Sequence, residues 1–174
     1  MPTPPAPPPP PASIHLQLLT AIAEAIQDLL LSGVGGVSPL PPAQVYVKKL
    51  PTDRASAGIL LPAIVVSLVP LPEKFATVMN AADDYGYPCL VTIIAANNQD
   101  LSVSDDELLW RQTIRNYFHN QKPKRIKDAI SPVPLGKILV EPYPILDLNL
   151  FQQQNLFVSS LLVRCWTREV RVRD

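Results

Sequence analysis

The side chains able to do chemistry are few and scattered. The chain has 174 residues but only two His and two Cys, and covalent catalysis needs a base held beside an activated nucleophile. His15 opens one amphipathic stretch and His119 closes another. Neither has a Cys, Ser or Asp at a spacing that would pair with it, so both read as solvent-facing helix residues. Cys89 and Cys165 lie in apolar, strand-like runs far apart in sequence. They read as buried free thiols, with a disulfide open only if their strands are neighbours. No His or Cys cluster has metal-ligand spacing. Asp83 and Asp84 with Asn80 offer oxygens suited to a hard cation, but ahead of Tyr85 and Gly86 they read as a polar turn. Gly33, Gly35 and Gly36 follow a helix and precede Pro39 without the Lys-Ser/Thr ending of a phosphate loop. These residues imply no cofactor, no metal and no enzyme. They point to a protein that works through its surfaces.

One charge cluster stands out. Lys122, Lys124, Arg125 and Lys127 place four cations within six residues. Such a cluster can contact phosphates non-specifically, or sit as a solvated loop after a helix C-terminus, where cations are favoured. Across the chain fifteen basic and fifteen acidic residues cancel, which gives no global drive toward nucleic acid or a membrane surface. Only 17% of residues are charged against 47% apolar. A real core can form, and burial against partners would account for so few solubilising groups, as would a tightly folded neutral monomer.

The elements that must carry these residues can be read along the chain. Residues 1–12 hold eight prolines and no charge, which is no signal peptide and favours an extended polyproline II arm. Residues 2–12 would reach roughly 30 Å at about 3.1 Å per residue. Residues 13–174 then read as one domain, consistent with cytoplasmic synthesis. Ser13 is a credible N-cap for a helix to about Ser32. Its apolar face is Ile14, Leu18, Ile22, Ile26 and Leu29, and its polar stripe runs through Gln17, Thr20, Glu24, Gln27 and Asp28. The polar stripe rules out a membrane span.

Short strands are expected at 45–50 and 63–69, and an irregular excursion at 70–87 reads as a protruding loop or hairpin. The apolar run 89–96 reads as a central strand covered by helix on at least one face. Ser104 to Glu107 forms a capping box, with Val103 and Leu108 as a hydrophobic staple. It would open a second helix that presents Trp110, Ile114, Tyr117 and Phe118 on one face and ends near Gln121. Asp105 and Asp106 then read as first-turn acids favoured by the helix dipole. A strand at 138–141, extending toward Ile145, precedes a long strand at about 157–172. In the long strand Ser159, Leu161, Val163, Cys165 and Thr167 share one face, and Ser160, Leu162, Arg164, Trp166 and Arg168 the other. That length exceeds the usual five or six residues, so its end is expected to project. The fold class is therefore α+β: a mixed or antiparallel sheet of about five strands with two helices packed on it, in the order α-β-β-β-α-β-β.

This order resembles the tail terminator (tail completion) proteins of long-tailed bacteriophages over about residues 13–172. The resemblance rests on topology, size and the stretches IHLQLLTAIAEAIQDLL, YPCLVTIIAANN, SDDELLWRQTIRNYF and FVSSLLVRCWTREV. The proline-rich arm and the 70–87 excursion fall outside that pattern. The resemblance implies a virion protein of the tail and neck, assembled in the host cytoplasm. It implies a homo-oligomer, a hexameric ring, that caps the tail tube, ends its polymerisation and docks to the head connector. Ring contacts are head-to-tail, so each subunit needs two different complementary patches. The candidates are the arm with Pro7 and Pro9, the excursion with Phe75, Met79 and Tyr85, and the last strand's end with Arg168, Arg171 and Arg173. Lys122, Lys124, Arg125 and Lys127 would meet passing DNA if they face the lumen.

Three other readings predict different observations. A head-completion, stopper or other neck adaptor protein would associate with the portal side. A small ligand-binding regulatory domain would have a formed pocket with converging polar groups. A peptide-presenting adaptor would use the PPPPP arm, which lacks flanking Arg or Lys, as a proline-motif ligand.

Overall fold

The computed structural model describes residues 13–31, 44–48, 59–78, 82–96, 101–141, 143–144, 147, 149 and 156–170, without the side chains of 77–78 and 101–105. The arm with Pro7 and Pro9, the glycine run, Met79, Asn80, Arg171 and Arg173 lie outside them. The elements in order are α1 (Ile14–Asp28), β1 (Val45–Lys48), β2 (Ala63–Leu68), β3 (Lys74–Val78), β4 (Ala82–Ala96), α2 (Leu101–Phe118), α3 (Lys124–Ala129), β5 (Leu135–Glu141) and β6 (Leu156–Val170).

The spine is the antiparallel pair β4–β6, matched from Ala82↔Val170 to Ala96↔Leu156. At about 3.4 Å per residue such fifteen-residue strands run roughly 50 Å. β5 lies along the outer side of β6, with a register shift between Leu135 and Lys137. The other side of β4 is shared. β2 pairs with Cys89–Ile94, carrying β1 parallel beyond it, and β3 pairs with Ala82–Gly86. The sheet order is β1-β2-β4-β6-β5, with β3 attached to β4. An α+β fold with a mixed, mostly antiparallel sheet is as expected.

Two counts differ from expectation. Among the described residues there are six strands, because the 70–87 stretch contributes β3 and the first part of β4, which pair with each other. Asp83 and Asp84 are strand residues there, each held by ladder bonds, which outweigh their preference for turns. Among the described residues there are three helices, because the basic connector winds into α3, started at Pro123 and anchored by the buried Ile126.

The helices cover one face of the sheet. α1 buries Leu18, Leu19, Ala21, Ile22, Ala23, Ala25 and Ile26, a wider apolar stripe than one heptad seam, because alanines let it lie close. Ser13 Oγ accepts from the Leu16 N–H and caps it. The helix ends at Asp28, short of Ser32, where Leu30 takes φ 46°. α2 contributes the buried Trp110, Ile114 and Phe118, with Tyr117 set edge-on to Phe118. The helix starts at Leu101, so Ser104 lies inside it and is not its N-cap. Leu108 is exposed, and the side chain of Val103, its expected staple partner, lies outside the described ones. α2 closes at Asn120, φ 58°, whose N–H donates to Ile138 O, tying the helix end to β5.

The alternation read in β6 holds. Leu161, Val163 and Cys165 join the helix-side core together with Cys89, Val91 and Ile93 of β4. Cys89 and Cys165 are both free and fully buried, and burial pushes their thiols up, that of Cys165 to about 12. The opposite face has its own apolar groups, Ala63, Val65, Ile94, Leu156 and Val158, then Val69, Leu90 and Leu162. No residue of a described helix joins either group.

Candidate functional site

β3, the first half of β4, the last half of β6 and β5 form an end of the sheet below the level where α1 meets it. Its two faces carry different chemistry, which follows from strand alternation.

On the face away from the helices, charges interlock across strands. Arg164 is 2% exposed; its Nε donates to Glu141 Oε1 at 2.6 Å and its Nη1 to Gly86 O at 3.1 Å. Lys74 Nζ on β3 reaches the same Glu141 oxygen at 3.6 Å. The Arg164 guanidinium is the main reason the Glu141 carboxyl titrates below its usual value. One step further along, Arg168 clasps Asp84 in two bonds, 2.8 and 3.1 Å, and holds that carboxyl low as well. Between the two arginines lies Trp166, with Lys137 Nζ 5.5 Å from its ring centre. Gly86 makes this arrangement possible: a Cβ there would sit 3.0 Å from both Arg164 Cδ and Trp166 Cε2. The cost of so close a packing is that the Trp166 indole N–H is buried without an acceptor.

On the helix-side face the residues are aromatic. Phe75 of β3 is paired across strands with Tyr85 of β4, and Phe75 is 69% exposed. The Tyr85 ring lies 6.5 Å from Tyr87, and Tyr87 lies 5.4 Å from the ring of His15 on α1. Tyr87 donates to Glu169 Oε1 at 2.7 Å, an oxygen that also accepts from Thr167. Desolvation and this carboxylate push the Tyr87 hydroxyl far up. His15 is thus not a solvent-facing helix residue. It is half-buried, its Nε2 donates to Pro88 O at 2.9 Å, and its Nδ1 is 3.7 Å from Glu73. The β3–β4 limb folds under the start of α1 and covers it. His119 is exposed as expected, with Nδ1 accepting from the Val140 N–H.

Three of the expected interface residues, Phe75, Tyr85 and Arg168, therefore come together on this one end of the sheet. The basic cluster lies elsewhere, on the α2–α3 connector and α3. Lys122, Lys124 and Lys127 are exposed. Arg125 is not a free cation: its guanidinium bonds Asp28 and Glu24 of α1 at 2.6–2.9 Å. The groove beside it is lined by Glu24, Asp28, Tyr117, Lys124, Arg125 and Asp128, a shallow surface of mixed charge. The sequence reading missed Arg164, Glu141, Lys137 and Trp166. The available signal was an arginine in the middle of an apolar strand, which a buried partner must neutralise.

Among the described residues no three His, Cys, Asp or Glu side chains gather as a metal site, and no helix is long and apolar enough to cross a membrane. No protein-family model and no curated protein matches the chain. Among solved structures, a chain described as "Virion of native gene transfer agent (GTA) particle" overlaps 90% of this chain and 92% of its own length, with TM-score 0.49 and 11% identity. Likeness at this level assigns no role.

Proposed function

We propose that this chain is a virion structural protein of a phage-type neck, and that it acts as a tail terminator. Copies would assemble head-to-tail into a ring, a hexamer in this reading, that caps the tail tube, ends its polymerisation and presents a docking face to the head connector. The protein acts by contact and not by catalysis.

The observation that carries the reading is the two-faced end of the sheet. A heterologous ring contact needs two unlike patches on one subunit. Here an aromatic row and an interlocked charge ladder lie back to back, on opposite faces of the same strands. β3, on the outer side of β4 at this end, has no strand beyond it among the described residues, and such an edge invites pairing by a neighbour. The exposed lysines near α3, if turned to the lumen, would touch passing DNA through phosphates alone.

The test is the mass of the purified chain by light scattering, followed by negative-stain imaging with and without tail tubes. Rings of about six copies, or rings only at tube ends, are expected. Rings on the portal side would make the chain a stopper or other head-completion component instead. A monomer indifferent to tubes would overturn the neck assignment and favour a ligand-binding domain.

A further inference from the structure

The aromatic row begins where the arm begins. Ser13 caps α1, and residues 1–12 leave the helix from that point. Two residues into the helix, His15 seats on Tyr87 and Pro88 O. From there Tyr87, Tyr85 and Phe75 step away down the helix-side face of the projecting end, below the level at which α1 meets the sheet. The row is held in place by Tyr87 bonding Glu169, while Phe75, its far member, is mostly exposed.

We propose that the proline-rich arm, residues 2–12, docks as a polyproline II segment along the Tyr87–Tyr85–Phe75 row of its own chain. Three arguments converge. Prolines in this conformation are pre-ordered, and aromatic-lined surfaces are the usual receptors for such segments because ring packs on ring at little entropic cost. The arm carries no charge, so it desolvates readily against rings, while the Tyr85 hydroxyl can donate to a carbonyl that polyproline II leaves unpaired. The reach also fits. The row spans two residues of strand and one strand spacing, roughly 7 Å and 5 Å, so the four or five arm residues next to Ser13, at about 3.1 Å each, lie along it. Tethering at Ser13 gives the arm a high effective concentration at this site. The docking does not depend on the neck assignment, and holds for a monomer and a ring alike.

The test uses the full chain with proline-selective carbon labelling in solution NMR. Ring protons of the arm prolines should be shifted upfield by the aromatic rings, and Phe75→Ser with Tyr85→Ser should return them to random-coil positions. Phe75→Leu, which keeps the apolar bulk but removes a ring, serves as the second variant if the double change fails to fold. Random-coil proline signals in the parent chain would overturn the proposal, as would shifts unchanged in the folded variants. Mixing the labelled chain with excess unlabelled Phe75→Ser/Tyr85→Ser chain should leave the shifts intact. Their loss would place the arm on a neighbouring copy and overturn docking within one chain.

Discussion

Arg164 Nε lies 2.6 Å from Glu141 Oε1, with the arginine 2% and the glutamate 27% exposed. This pair joins β6 to β5, and through Gly86 O and Lys74 it also joins β4 and β3. It is the fastening of the projecting end.

Removing one member should be costly, because a buried charge is left without its partner. Glu141→Leu, which leaves the 2% exposed Arg164 guanidinium without its carboxylate, should lower unfolding stability by about 3 kcal/mol, read by urea denaturation. The double change Arg164→Met/Glu141→Leu should recover much of that loss. A single variant as stable as the parent would show the pair to be dispensable.

Acid should loosen the same end. Glu141 and Asp84 titrate lower in the folded chain than their ordinary values of 4.5 and 3.8, each through its arginine. As pH falls the unfolded chain therefore takes up these protons first. The stabilisation is whole above the ordinary values and is lost as pH drops through the folded ones. Melting temperature should fall below pH 4.5, and Glu141→Gln should flatten that fall.

Glu107 should behave in the opposite sense. It is 8% exposed, its Oε2 has no hydrogen-bond partner, and desolvation raises its carboxyl. Here the folded chain holds its proton to higher pH, so stability falls as pH rises through the folded value. Glu107→Gln should therefore stabilise the protein at neutral pH and show little gain near pH 4, as thermal melts in the two buffers would report.

Gly86 should tolerate no side chain. Gly86→Ala places a methyl 3.0 Å from Arg164 Cδ and Trp166 Cε2, and overpacking of this type costs about 1–3 kcal/mol. The near-ultraviolet circular dichroism of Trp166 should change together with the melting temperature. An unchanged spectrum would mean that the indole has room to move.

If the basic cluster meets DNA, its members should differ. Each phosphate contact contributes about 0.9 to the salt slope of binding. Changing Lys122, Lys124 and Lys127 to Gln should lower that slope by roughly 3. Arg125→Gln should lower it less, since Asp28 and Glu24 already neutralise this side chain. Equal effects from all four would show that the α1 pairs open on binding.

The sequence by itself determined the elements whose signals are local. Helical periodicity fixed the buried faces of α1 and α2, with Leu18, Ile22 and Ile26 in one and Trp110, Ile114 and Phe118 in the other. Strict alternation fixed which residues of β6 share a face, and Ser13 marked a helix start through its own hydroxyl. The tertiary structure alone decided the rest, because those features depend on partners distant in sequence. Asp83 and Asp84 suit a turn, yet pairing with β3 and β6 draws them into a strand. His15 has a solvent-facing pattern on its helix, yet the β3–β4 limb folds over it. Glu141 and Arg164 are 23 residues apart, and Asp84 and Arg168 are 84 apart. Neither pairing is encoded in any window of sequence, since register across β4, β5 and β6 is set by the whole core closing at once.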